Sequence, residues 1–399
     1  MAPWLPQFIT SMIVILVVLH LALGAAAYLI LLERRLSAWV QDRCGPNRVG
    51  PMGLLQPIAD GVKLFLKEDF MPRGVDRVLF ILAPAFTAIP ALIGFVIIPW
   101  AGLLELGDGR TVAIMGADIN IGIIYLVATA SLGVYGVGLG GWASNNKYSF
   151  IGGLRAAAQM ISYEIPMGLA LLCVILTAGT LLPMDIVRQQ LDGQWFLIQQ
   201  PLAAILFFIC MLAEANRAPF DLAEAEQELV GGWHTEYSSM KWALFFLGEY
   251  VHVFVGAAFF AMLFLGGWSI NPVTGWDLPV AGAWWMILIQ FGIVLAKVFL
   301  VVAFGMMIRW TLPRFRFDQL MKLAWEGMIP LGLVLLLMTS FFVYMGWTAW
   351  LWTGSLALLA LIWFLLPALP RQANPNRRIG LIGSRFSPPM DDASARLEG

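Results

Sequence analysis

Nine separated apolar runs, at about 9–32, 79–99, 121–140, 161–180, 197–213, 243–266, 283–307, 328–346 and 350–369, dominate the 399-residue chain. Runs of roughly 18 to 25 apolar residues cross about 30 Å of hydrocarbon as helices. In lipid every backbone polar group needs an internal partner, which leaves only helices or closed barrels as spanning structures. Composition agrees: 60% of residues are hydrophobic and 12% charged, with a mean hydropathy of +0.80, far from the soluble average. The expected fold is all-α, a polytopic membrane protein of about nine transmembrane helices. Residues 1–370 form one transmembrane domain, and 371–399, rich in Pro, Ser, Asn and Arg, form a poorly ordered cytoplasmic tail.

The basic residues orient it. Of the 24 Lys and Arg, only Arg110 and Arg188 fall in loops on one side, and Lys297 lies inside a run. All the others fall in the loops 33–78, 141–160, 214–242 and 308–327 or in the tail. Basic loops stay cytoplasmic, so the N-terminus is expected outside and these loops inside. The first run is too long for a signal-peptide core and lacks a basic flank before it, so no cleavable targeting segment is expected. The net charge of −1 gives no sign of a nucleic-acid partner.

Within the first loop, Gly53–Asp69 places Leu55, Ile58, Ala59, Val62, Phe65 and Leu66 at helical spacing. Gln56, Asp60, Lys63 and Lys67 fall opposite. This predicts an amphipathic helix on the cytoplasmic side, lying in the membrane interface or packed on neighbouring loops. Cys44, Cys173 and Cys210 are scattered, with neither iron–sulfur nor zinc spacing. Gly136, Gly138, Gly140 and Gly141 sit in an apolar run without a preceding strand, so they read as close helix packing rather than a dinucleotide loop. His234 and Glu236 echo half of a deaminase signature, but no cysteine pair follows.

Ionisable groups inside spans are costly and are functional candidates by default. Glu33 ends the first run, Glu164 lies near the start of the fourth and Glu214 ends the fifth; Glu249 is about six residues into the sixth, and Lys297 falls near the middle of the seventh. The pattern suggests carboxylates in the cytoplasmic half leading to a central lysine, as in a proton relay; ion pairs that fix helix packing are the plainer reading of each. His20 and His252 read as hydrogen-bonded packing residues. A second concentration of charge is the loop 214–242, where Asp221, Glu224, Glu226, Glu228 and Glu236 follow one another with no Lys or Arg between Arg217 and Lys241. Protons, a basic partner, or the arginines of the first loop must balance it beside an anionic leaflet.

With these residues in view, the chain resembles a known family. The segments ERRLSAWVQDRCGPNRVGPMGLLQPIADGVKLFLKED from Glu33, GWASNNKYSFIGGLRAAAQMISYE from Gly141, the acidic loop, and IRWTLPRFRFDQL from Ile308 carry the likeness. All are similar to the quinone-proximal membrane subunit, called H in bacteria, of proton-pumping NADH–quinone oxidoreductase, respiratory complex I. The likeness spans roughly 9–370, and the ninth run and tail resemble bacterial rather than mitochondrial members.

The resemblance implies an enzyme subunit, a translocase component that is not catalytic alone. It holds no cofactor or metal of its own and takes quinone as substrate, while flavin and iron–sulfur clusters sit in partner subunits. Expected partners are the hydrophilic quinone-module subunits, adjacent small membrane subunits and lipid, in the bacterial plasma membrane. It further implies a quinone chamber framed by Arg34, Arg35, Trp39, Arg43, Asp60, Lys63, Phe220 and Tyr237. The acidic coupling loop would be Asp221, Glu224, Glu226, Glu228 and Glu236, and the proton path Glu33, Glu164, Glu214, Glu249 and Lys297. Some members carry a glutamate where this chain has Ser131, which puts the route there in question. Homologous subunits of a membrane-bound hydrogenase or F420H2 dehydrogenase complex, a stand-alone proton-coupled transporter, and a structural anchor are the other readings. The transporter would call for inverted repeats, which are not evident.

Overall fold

Each apolar run becomes a helix in the computed structural model, which describes residues 4–106, 109–223, 226–273 and 277–365. The spans are α1 (Leu5–Val40), α3 (Arg77–Gly94), α4 (Gly122–Ala143, with a break at Leu132), α5 (Lys147–Ala178), α8 (Ser239–Phe264), α9 (Trp284–Thr311) and α10 (Phe317–Tyr344). These seven are long and apolar enough to cross a membrane. Between them lie α2 (Gln56–Leu66), the short α6 (Pro183–Asp192), and the shorter apolar helices α7 (Pro201–Glu214) and α11 (Leu351–Leu365). The chain is a multi-pass, all-α membrane protein.

One run gives less than a full span. The fifth is broken where Gln200 leaves helical geometry (φ −135°, ψ 63°) ahead of Pro201, whose missing N–H cannot continue a helix. What remains, α7, is about 21 Å long at 1.5 Å per residue, and one turn, Phe196–Gln199, precedes it. Other helices exceed their runs. The first continues through Glu33, Arg34 and Arg35 to Val40, so it is about 54 Å long.

Helix ends follow local chemistry. The Asp76 side chain accepts from the backbone N–H of Val78 and Leu79 to open α3, Asn146 does the same for Tyr148 in α5, and Gly179 closes α5 in the left-handed conformation (φ 65°). Such caps satisfy the unpaired groups of the terminal turns. The glycine run packs as expected, with one exception. A Cβ at Gly136 would run into Thr87 of α3, and one at Gly141 would meet Ser149 and Gly153 of α5, whereas Gly138 faces open space.

Residues Met1–Ser355 form one compact unit, and Leu356–Gly399 a second, whose described part is the end of α11. The tail from 371 lies outside the described residues. In the first unit the loops that carry most of the basic residues share one face: Asp76 N–H donates to Ala143 O (3.1 Å), Phe315 N–H to Pro219 O (3.3 Å), and Ser239 Oγ to Leu64 O (3.0 Å). We call it the basic face.

The opposite face holds an element that the sequence pattern does not announce. Three short strands, β1 (Leu103–Glu105), β2 (Thr111–Ala113) and β3 (Ala281–Gly282), form a sheet in the order β2-β1-β3, antiparallel then parallel. Strands of two or three residues are too short to leave a period-2 signal. Side chains from the spans hold it: Gln7 exchanges two hydrogen bonds with Ala113 (3.2 and 3.0 Å), and Gln290 accepts from Gly102 N–H (2.8 Å).

Candidate functional site

The expected surface helix forms. Helix α2 is shorter than 53–69, preceded by a 3-10 turn at Pro51–Gly53. Its apolar residues Ile58, Val62 and Phe65, with Leu55 just before it, are exposed, Phe65 at 73%. The stripe toward the bundle is Pro57, Asp60, Gly61 and Leu64. With α1 and α8 that stripe encloses a cavity of about 290 Å³, walled by apolar side chains such as Ile30, Leu31, Leu244 and Phe246. Arg34, Gln56, Asp60 and Lys63 supply its polar groups. Arg34 donates to Asp60 at 2.8 Å, Lys63 approaches the same carboxylate at 3.8 Å, and Gln56 donates to it at 3.2 Å. An apolar cleft with a few convergent polar groups is the usual form of a small-molecule site.

Of the eight predicted chamber residues, Arg34, Asp60 and Lys63 line this cavity. Arg35 instead hydrogen-bonds the Met52 carbonyl, Arg43 donates to the Gln41 side chain at 2.8 Å, and Trp39 is exposed. Phe220 is buried between Tyr163 and Phe315, ring centroids 5.5 and 5.7 Å away. Tyr237 stacks on Phe80 at 4.0 Å, and burial pushes its phenol well above the ordinary range.

Directly behind the cavity lies a buried charge network. Glu33, one residue before Arg34 on α1, is ion-paired with Arg309 of α9 and accepts from the Tyr250 hydroxyl at 2.6 Å. Arg217 sits beside it: Nη1 is 3.9 Å from Glu33 Oε2 and Nη2 is 3.4 Å from Glu249 Oε2, with the guanidinium 4.2 Å from the Tyr250 ring centroid. Helix α8 starts earlier than its apolar run, so Glu249 is about 15 Å along it rather than 9 Å. Further along, Glu214 lies 3.4 Å from His252, and Glu164 accepts from Ser131. Glu33, Glu214 and Glu249 thus lie in the half of the bundle toward the basic face, while Glu164, about 26 Å along α5, lies near its middle.

Two cavities of about 30 Å³ each flank Arg217. One is bounded by Glu33, Arg217, Tyr250 and Arg309, the other by Glu214, Glu249 and His252 with apolar neighbours. Each has room for about one or two waters. Arg217 lines the first and Glu249, 3.4 Å from it, the second.

Lys297 departs from its expected place. It is rooted at mid-helix, but its ammonium donates to the carbonyls of Leu265 and Ser269 and lies 4.2 Å over the Trp195 ring. Leu265 is the residue after α8 ends, sixteen positions beyond Glu249, or about 24 Å along the helix. The lysine therefore caps a helix C-terminus near the opposite face, where a cation is favoured. The four carboxylates do not lead to it at mid-bundle.

Among the described residues the acidic loop is paired with groups outside the first loop. Asp221 meets Arg314 at 3.0 Å, Glu228 meets Arg155 at 2.7 Å, and Glu236 accepts from Asn146 at 2.6 Å. Both arginines come from other basic-face segments, because Arg34 and Arg35 are already engaged beside α2. Glu224, and the side chain of Glu226, lie outside the described residues. Sequence reasoning missed the residue that pins the loop: buried Gln159 donates to Ala213 O, Phe220 O and Asn216 Oδ1 at 2.8–3.1 Å. A glutamine just before the fourth apolar run was the available signal.

Among the described residues no group of three or more His, Cys, Asp and Glu is placed to hold a metal. Cys44 is exposed while Cys173 and Cys210 are buried on α5 and α7, a donor set that does not fit an iron–sulfur cluster.

Comparison with known proteins accounts for most of the chain. A family profile described as NADH dehydrogenase matches residues 12–340. The chain belongs to that family. It is 49% identical over 318 residues to the NADH-quinone oxidoreductase H-subunit of Protochlamydia amoebophila, covering 80% of this chain and 93% of the relative. It is 48% identical over 326 residues to the first of the corresponding H-subunits of Geobacter metallireducens, 82% and 94%, and 45% over 328 residues to that of Cytophaga hutchinsonii, 82% and 95%. Helix α11 and the tail lie beyond the part that the family profile matches.

Proposed function

We propose that the chain is the membrane subunit of a bacterial NADH–quinone oxidoreductase that admits quinone beneath α2 and couples its reduction to proton movement along the buried carboxylates. One observation carries this reading. Neighbouring residues of one helix serve both parts, since Arg34 lines the cavity while Glu33 anchors the charge network. On α8 likewise, Phe246 walls the cavity and Glu249 and Tyr250 lie one turn further in. A change of charge or shape in the cavity thus has a path of two helices to the network.

The mechanism follows from these residues. Quinone reduction takes up two electrons and two protons. The electrons come from iron–sulfur and flavin groups in partner subunits, and this chain's own residues hold the quinone and the protons. The apolar walls accept the ring and tail, and Arg34 with Asp60 supplies hydrogen bonds and charge at the cavity. Charge appearing there shifts the balance of Glu33 between Arg309 and Arg217. Because Arg217 also faces Glu249, a shift of its guanidinium toward Glu33 loosens its hold on Glu249 and favours protonation of that carboxylate. Glu214 and Glu164 continue the route into the bundle. In this reading the basic face is cytoplasmic, in the bacterial plasma membrane.

Purification from detergent-solubilised membranes tests the assignment. Co-purification of flavin and iron–sulfur subunits with NADH-dependent, quinone-dependent proton uptake in vesicles supports it. Recovery with a nickel hydrogenase or an F420H2-oxidising subunit instead, or of the chain alone with transport activity, overturns it.

A further inference from the structure

We propose that His252 is a proton-carrying residue, joining Glu214 to Glu249 across the small cavity that all three line. The inference rests on the reading of the carboxylates as a proton route and adds a member to it.

The geometry sets His252 apart from a packing histidine. His20, the other histidine in a span, has its Nδ1 2.8 Å from the Leu16 carbonyl of its own helix. His252 instead directs Nε2 at Glu214 Oε1 of α7, 3.4 Å away. Glu249 precedes it by three residues on α8, so both side chains share one face of that helix. The cavity between them, about 30 Å³, holds about one or two waters, enough to bridge His252 and Glu249.

The charge inventory around the ring explains why an imidazole suits this place. Helix α7 presents Glu214, and α8 itself presents Glu249, which Arg217 faces at 3.4 Å from the far side. Helix α5 adds Glu164, bonded to Ser131 of α4. The cavity walls from α3, α4 and α5 are otherwise non-ionisable residues such as Thr87, Gly133 and Met160. Two carboxylates line this one small cavity, and the histidine lines it with them. Its two ring nitrogens let it accept on one side and release on the other, and its ordinary titration range is the physiological one. In the transfer, a cavity water protonated from the Glu249 side gives its proton to the ring. The ring's Nε2–H then passes to Glu214, leaving His252 neutral.

The test uses the whole complex in proteoliposomes, with His252→Asn and His252→Gln, which keep polarity and lose titration, beside Glu249→Gln. Assembly is read from subunit content and NADH–ferricyanide reduction, and the proton yield per electron is measured from about pH 5 to 8, where an imidazole changes charge. The expected result is an assembled complex whose proton yield falls several-fold and loses its wild-type pH dependence across that range. A wild-type yield and pH profile would overturn the proposal, as would a lowered yield with unchanged pH dependence, which marks a packing defect. Failure of both variants to assemble assigns His252 to packing and overturns it equally. The Glu249→Gln arm separates the two levels. If that variant pumps normally, the proton-route reading has failed and His252 falls with it; if only the histidine variants pump normally, the route stands without His252.

Discussion

Arg217 Nη2 lies 3.4 Å from Glu249 Oε2, which joins a group lining one small cavity to a group lining the other. The same guanidinium approaches Glu33, but the losses on removing it are unequal. Glu33 keeps Arg309 and the Tyr250 hydroxyl, while Glu249 loses its neighbouring cation. Breaking a buried pair from one side costs about 3–5 kcal/mol, and the slight exposure of both groups places this case at the lower end. Arg217→Ala is therefore expected to lower the temperature at which detergent-solubilised complex loses quinone reductase activity. Adding Glu249→Gln to it recovers part of the loss, because the carboxylate charge is removed together with the cation that faced it. A double variant less stable than Arg217→Ala would show that Glu249 is held by something other than this charge.

Glu249→Gln alone is expected to leave the complex assembled and to abolish most proton pumping and quinone reduction. The amide is isosteric and keeps a polar contact for Arg217, so the packing at this site, about 15 Å along α8, survives. What it loses is the ability to hold a proton. Normal pumping by this variant in reconstituted vesicles would make Glu249 a structural partner of Arg217.

The acidic loop gives a prediction of placement. Arg155 and Arg314 grip it at Glu228 and Asp221, and both pairs are partly exposed, so each contributes only about 0–1 kcal/mol. Arg155→Ala and Arg314→Ala are then expected to leave overall stability nearly unchanged while raising hydrogen exchange in 221–236. Arg43→Ala in the first loop should leave exchange there at the wild-type level. Faster exchange in Arg43→Ala than in the other two would return the loop to the first-loop arginines.

What could be read in advance divides along physical lines. Spans were legible because hydrocarbon enforces long apolar runs, and the identity of Glu33, Glu164, Glu214 and Glu249 as special was legible because charge inside such runs is costly. Partners were not legible. Nothing in the sequence says that Glu33 meets Arg309, 276 residues away, or that Arg155 rather than Arg43 reaches the acidic loop, since these depend on how helices pack. Lys297 shows the same limit in one residue: its position in α9 is central, but its long side chain carries the charge toward the opposite face. For α2, periodicity separates the two faces but does not say which side chains meet the bundle, where Asp60, held by Arg34 and Gln56, lines the cavity.

That orientation sharpens the test of the quinone entrance. A substitution meant to obstruct the cavity belongs at Leu64, which lines it, and not at Val62, which is exposed on the other side of the same helix. Leu64→Trp adds bulk inside a cavity of about 290 Å³ and keeps the helix apolar where it meets lipid. It is expected to raise KM several-fold for a long-tailed quinone, less for a short-tailed analogue, and to leave ferricyanide reduction unchanged, because that acceptor draws electrons from the hydrophilic arm. Val62→Arg places a charge on the outward face, where an arginine can reach the headgroup layer at modest cost, so it should slow the long-tailed quinone less than Leu64→Trp does. The order of the two variants is the decisive quantity. If Val62→Arg is the more damaging with long-tailed quinone while ferricyanide reduction holds in both, the substrate approaches over the outer face of α2 and the cavity beneath it is not the way in.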